Sequence, residues 1–298
     1  MNNKNIEKII ETFVKDNNLP NSYKNSAKKY LVDLSKIIID KAKLNENPIC
    51  LGINGAQGTG KSTLSLFIKI FIEKTESLSV KIISIDDLYL TKKERVQLSL
   101  DIHKLFETRG VPGTHDVEMG YNFIKSCLNK KHTNLCLPRF DKLTDDRLPK
   151  NEWLFINKNV DIIILEGWCV GAKPQEDKYL IQSINSLEDN YDREGIWRTY
   201  SNNQLKKNYQ LLFELCSFLI MLKAPSFEVI YDWRLKQEMR SKYTSDKKLS
   251  KRMSPDEITF FVQHYERLTR WMLEDLPSRA DVIIELNNNH VMEKIVYK

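Results

Sequence analysis

A short apolar run, Ile49–Asn54, leads straight into Gly55, Ala56, Gln57, Gly58, Thr59, Gly60, Lys61, Ser62 and Thr63. The first eight of these fit the spacing G-x-x-x-x-G-K-[ST], between a predicted strand and a predicted helix, which is the context that pattern requires. Glycines at 55, 58 and 60 let the backbone curl so that successive N–H groups converge on phosphate oxygens. The helix beginning near Lys61 adds its positive dipole end. Lys61 is placed to reach the β and γ phosphates of a nucleotide, and Ser62 to hold Mg²⁺.

Two further runs end in carboxylates. Lys81–Ile85 is followed by Asp86 and Asp87, and Asp161–Leu165 by Glu166 and Gly167. In open α/β sheets the ligand crevice lies at the carboxyl ends of the strands. A carboxylate there can orient an acceptor hydroxyl and take its proton while a phosphoryl group leaves ATP. Asp86 is the favoured base, with Asp87 capping the next helix. Glu166 is expected to hold Mg²⁺ or polarise the attacking group.

A phosphate loop alone does not name a reaction. The segment 157–161, Asn-Lys-Asn-Val-Asp, is one residue too long for the base-reading motif N-K-x-D of GTPases and runs into a core strand. Neither an LSGGQ signature nor a helicase-like D-E-x-[DH] is present. These absences favour small-molecule kinases.

Five β-branched runs read as strands: Ile49–Asn54, Val80–Ile85, Val160–Leu165, Phe218–Leu222 and Val282–Leu286. Helical patterns lie between them, so an α/β fold with a mostly parallel five-stranded sheet is expected. Residues 3–16 and 21–43 read as amphipathic helices, and 1–48 as an N-terminal helical extension to a unit spanning 49–298. The polar stretches 91–159 and 171–209 read as loop-rich excursions from that one core. Ser254, Pro255 and Glu257 signal the start of a helix whose buried face is Ile258, Phe261, Val262, Tyr265 and Leu268.

The 298 residues carry 46 Lys plus Arg against 40 Asp plus Glu, a net charge of +6 that suits a small anionic substrate. No apolar run approaches the roughly 20 residues of a membrane span, and MNNKNIEKII has no signal core. Five scattered cysteines without a C-x-x-C pair fit reduced thiols in a cytosol and argue against structural zinc. A cytoplasmic protein without nucleic-acid or membrane partners is therefore expected.

Together with the phosphate loop, four strings resemble the D-glycerate 3-kinase group of the phosphoribulokinase, uridine kinase and pantothenate kinase superfamily. They are SIDDLYL (84–90), RGVPGTHD (109–116), PRFDK (138–142) and ILEGWCVGAKP (164–174), with similar stretches at 231–238 and 253–265. Leu88 stands where that group usually has Phe, and Leu143–Arg147 is shorter than its usual Gly-rich segment. The resemblance implies a P-loop NTPase three-layer fold with a helical lid. It also implies ATP and Mg²⁺ on 55–63, a catalytic aspartate at Asp86, a metal-assisting acid at Glu166, and transfer of a phosphoryl group to D-glycerate.

A small hydroxy-acid needs cations for its carboxylate and polar groups for its hydroxyls. Arg109, Arg139 and Lys142 offer the first, and His115 and Asp116 the second. With Asp87, Tyr89 and Asp141 they make up the expected acceptor pocket; the plainer reading pairs Arg139 with Asp141 to fix a loop. From Lys236 to Arg252 there are seven basic residues and two acids. That segment reads as a basic lid over the phosphates, with Arg234, Lys236 or Arg240 neutralising charge, or else as a solvated helix face. A kinase for another alcohol, or a nucleotide-binding protein without an acceptor, are the alternative readings.

Overall fold

The computed structural model describes residues 3–130, 135–156, 159–240 and 254–298, the side chains of 237–240 excepted. Five parallel strands, β1 (Ile49–Gly55), β2 (Val80–Ser84), β3 (Ile162–Gly167), β4 (Phe218–Lys223) and β5 (Val282–Leu286), form the body of the sheet. A sixth strand, β6 (Met292–Tyr297), pairs antiparallel with β5, and the spatial order is β6-β5-β4-β1-β3-β2. The five expected strands are thus the five parallel ones. The added strand is half-exposed along an edge, so it lacks the apolar run that betrays a buried strand.

Every residue of β1 and β3 is buried, as parallel strands covered on both faces require. Alternate residues serve opposite layers. Leu51, Ile53, Ile162, Ile164, Ile220 and Leu222 join one core, while Cys50, Ile163, Leu165 and Met221 join the other. The first layer holds α1 (Asn3–Asp16), α2 (Val32–Leu44) and α3 (Lys61–Thr75). A helical stretch, Asn21–Ser26, and a π-helical turn, Ala27–Leu31, run into α2, so the expected helix over 21–43 is continuous. Phe13 of α1 meets Phe67 of α3 edge to face at 5.2 Å. Burying such a ring stabilises the layer by roughly 2–3 kcal/mol.

The stretch 91–159, expected to be loop-rich, contains α4 (Lys92–Asp101), α5 (Val117–Leu128) and two small antiparallel pairs. The second excursion carries short helices at Ser186–Tyr191 and Ile196–Gln204. Two long helices follow β4, namely α6 (Phe227–Arg240) and α7 (Pro255–Asp275). The capping box of Ser254 and Glu257 forms as expected, with Pro255 in the first turn. The segment 241–253, which holds most of the expected basic lid, lies outside the described residues, as does the Arg240 side chain. Among the described residues no helix is long and apolar enough to cross a membrane.

Register brings the chemistry together. Glu166 of β3 pairs across to Ile53 on one side and to Ser84 on the other. The phosphate loop after β1, the acids after β2 and the acid ending β3 therefore emerge at one edge of the sheet.

Candidate active site

Gly58 and Gly60 adopt left-handed φ values of 80° and 92°, which lets the loop reverse without a Cβ penalty. Thr59 turns inward and donates its hydroxyl to the Ala56 carbonyl at 2.8 Å. Lys61 opens α3 and reaches back over the loop, with Nζ 3.1 Å from the same carbonyl. Burial pulls the Lys61 ammonium below its ordinary pKa, opposed by the charges of Glu166 and Asp86. Ser62 donates to Glu166 Oε1 at 3.0 Å, so a hydroxyl and a carboxylate face each other at the helix tip.

After β2 the chain makes a 3₁₀ turn, Ile85–Leu88, capped by Ser84, whose hydroxyl accepts from Asp86 N at 3.3 Å. Asp87 is therefore not a helix cap. Its Oδ1 accepts from Phe140 N at 3.3 Å, tying the PRFDK strand to the turn. Burial pushes the Asp87 carboxyl up. Asp86 is the more strongly compensated acid. Burial alone raises its pKa, but Lys142 and then Lys61 outweigh that and hold it below the usual carboxylate value.

A cavity of 720 Å³ opens between these elements. The sequence-predicted residues Gln57, Gly58, Gly60, Lys61, Ser62, Thr63, Asp86, Asp87, Tyr89, Arg109, Lys142, Glu166 and Arg234 line it. Gly55, Ala56 and Thr59 shape the loop from behind.

Four expected acceptor residues do not line it. His115 is buried behind Tyr89, stacked on that ring at 4.5 Å, with Nδ1 2.6 Å from the Tyr209 hydroxyl. Asp116 accepts from Met119 N at the start of α5 and pairs with Arg147 at 3.2 Å, so it is a helix cap. Asp141 folds onto its own turn, accepting from Leu143 N and the Thr144 hydroxyl. Arg139 is exposed and forms no ion pair with Asp141, which removes the plainer reading as well. Lys236 is exposed on α6 outside the cavity.

Other lining residues were not anticipated as site residues. Trp168 donates Nε1 to the Gly110 carbonyl at 2.9 Å and meets Tyr265 edge to face at 4.9 Å. Tyr265 donates its hydroxyl to the Arg109 carbonyl at 3.2 Å, so this aromatic pair grips the backbone that carries Arg109. Phe261 completes the wall beside Phe140, which belongs to the PRFDK string that the resemblance implies at the acceptor pocket. The turn after β5 braces the phosphate loop: His290 Nε2 donates to the Gly58 carbonyl at 2.6 Å while its ring stacks on Trp233 at 3.7 Å.

No family model matches the chain. It is 31% identical over 280 residues to the uncharacterized kinase mug58 of Schizosaccharomyces pombe, covering 91% of this chain and 96% of that one. It is 24% identical over 242 residues to the chloroplastic D-glycerate 3-kinase of Arabidopsis thaliana, covering 78% of this chain and 50% of that one. The chain belongs to the D-glycerate 3-kinase-like family of P-loop kinases. A solved structure of the D-glycerate 3-kinase of Cryptococcus neoformans shares the fold, with a TM-score of 0.74 at 20% identity over 90% of this chain and 99% of that one. As a member of this family the protein is an ATP-dependent phosphotransferase whose acceptor is an alcohol on a small molecule.

Proposed function

We propose that this kinase transfers the γ-phosphoryl group of Mg·ATP to a hydroxyl of a small hydroxy-acid, D-glycerate. The observation that carries the reading is the shared cavity. Asp86 faces the space into which the phosphate loop opens, and Arg109 stands on the same wall system. Four cations (Lys61, Arg109, Lys142, Arg234) and three acids (Asp86, Asp87, Glu166) line the cavity among the described residues. The excess suits a triphosphate and an anionic acceptor rather than a neutral one.

The loop amides and Lys61 hold the β and γ phosphates. Ser62 and Glu166 present adjacent hard oxygen ligands, the donor set that Mg²⁺ takes alongside phosphate oxygens and water. When bound, Mg²⁺ neutralises charge that builds between the phosphates. Asp86 orients the acceptor hydroxyl and receives its proton, and its compensated charge keeps it ionised for that task. Arg109 forks onto the acceptor carboxylate. The aromatic wall of Trp168, Phe261 and Tyr265 excludes water around the transferring group. Among the described residues, the N-terminal helices before β1 contribute none to the lining of the 720 Å³ cavity, which suits an extension that supports the core from behind.

A panel of hydroxy-acids, nucleosides and pantothenate-like alcohols, each assayed for ADP release and for phosphorylated product, tests the proposal. D-glycerate is expected to give the highest kcat/KM. A nucleoside or pantothenate-like winner replaces the acceptor, and ADP release without any phosphorylated product removes the acceptor altogether.

A further inference from the structure

Arg109 reaches the cavity from a loop, yet it is not a loose side chain. Its guanidinium lies over the Phe140 ring at 5.5 Å. Its Nη1 is bonded to Asp145 Oδ1, and Asp145 is the sole hydrogen-bond partner of its side chain among the described residues. Asp145 itself is fastened by Arg95. That residue is buried, with Nη2 2.9 Å from Asp145 Oδ2 and 2.6 Å from the Asp145 carbonyl. Arg95 also donates to the carbonyls of Glu107 at 2.8 Å and Leu90 at 3.3 Å. One buried guanidinium thus joins three loops and holds one carboxylate, and that carboxylate holds Arg109. Asp145 keeps a left-handed φ of 58° to do so. It does not line the 720 Å³ cavity but faces an adjoining one of 850 Å³, and Arg109 stands between the two.

We propose that Arg95 and Asp145 are positioning residues that set the specificity of the site, aiming Arg109 at the acceptor's anionic group. With Nη1 engaged from the far side, the Nε–Nη2 edge of Arg109 stays available to fork onto a carboxylate. Fixing the guanidinium beforehand removes the rotamer cost that a long cationic side chain otherwise pays on binding. The inference rests on the proposed function, because it takes the group held by Arg109 to be the acceptor's.

The test is a double-mutant cycle with Asp145→Asn and Arg109→Gln, using as acceptor whichever panel member the wild-type enzyme phosphorylates best. Asn tolerates the left-handed backbone and still accepts from Arg95. Should Asp145→Asn lower the melting temperature appreciably, Asp145→Gly, which suits the same φ, takes its place. Asp145→Asn is expected to raise the acceptor KM about tenfold while kcat and the ATP KM stay within about twofold. In the Arg109→Gln background the same change is expected to leave the acceptor KM within about twofold. An effect of equal size in both backgrounds, or a matching loss in kcat or ATP affinity, overturns the positioning role and leaves the kinase reading standing. A wild-type enzyme that phosphorylates no acceptor overturns both.

Discussion

Lys142 Nζ lies 2.5 Å from Asp86 Oδ2, across 56 residues of chain. The pair brings the PRFDK string onto the acid that follows β2. Without that cation, burial would carry the Asp86 carboxyl upward. The folded pKa is depressed, so the carboxylate form is fully present above the ordinary value of 3.8 and is lost only on acidification below it. Wild-type kcat/KM for the acceptor should accordingly show no acid limb from Asp86 between about pH 5 and 8. In Lys142→Ala the desolvation is left unopposed by its nearest partner, and the acid limb should move to higher pH. A pH–rate profile of the two enzymes checks this, and superimposed profiles would separate Lys142 from the ionisation of Asp86.

Among the described residues, the Lys61 side chain touches the loop through one hydrogen bond, to Ala56 O. Lys61→Ala should therefore leave the melting temperature nearly unchanged. If Lys61 holds the transferring phosphoryl as proposed, its removal should cut kcat by about 10²-fold or more. Steady-state kinetics beside a thermal melt read both quantities. A normal kcat would remove Lys61 from the reaction.

Gly110 has a φ of 144°, and a Cβ built there would lie 2.2 Å from the Tyr265 hydroxyl oxygen. Gly110→Ala must displace Tyr265, and with it the hydrogen bond that holds the Arg109 carbonyl. The expected cost is of order 1–3 kcal/mol in stability, with a rise in acceptor KM larger than that in ATP KM. Chemical denaturation and paired KM measurements test it.

His115 and His264 are both buried, and burial lowers each imidazole from its ordinary 6.5 to about 4. Unfolding restores the ordinary value. Between pH 6.5 and 4 the unfolded chain binds protons that the folded rings refuse. The stability they contribute is fully present above pH 6.5 and is lost as the pH falls toward 4, on the order of 3 kcal/mol per ring. Urea unfolding across this range should show the decline, and His264→Gln should flatten it. An unaltered slope would place the titration elsewhere.

Much of the site was legible because it stands on strand ends. An apolar run that closes on Asp86 or Glu166 announces both a strand and the acid at its crevice end, and glycine spacing marks the phosphate loop. Loops and helices hide their facing. His115 and Asp116 sit in a string that borders the cavity, yet one packs behind Tyr89 and the other caps α5. The cap was readable, since Asp before an apolar helix is a standard start signal. Asp141 likewise precedes Thr144 in a turn that it closes itself. Tyr265 was read as the buried face of a helix, and so it is; what the periodicity of α7 could not say is that the same face also borders the cavity. The Arg95–Asp145–Arg109 chain joins residues 50 and 36 positions apart, and no local pattern links them.

The most direct test of the central claim is a single-turnover, rapid-quench measurement of γ-labelled phosphoryl transfer to the acceptor in wild-type and Asp86→Asn enzymes, with ATP affinity measured alongside. Transfer should slow by about 10²- to 10⁴-fold in Asp86→Asn while ATP binds as before. Transfer at a near wild-type rate, or a loss of ATP binding equal to the loss of transfer, would contradict the assignment of Asp86 to the acceptor hydroxyl.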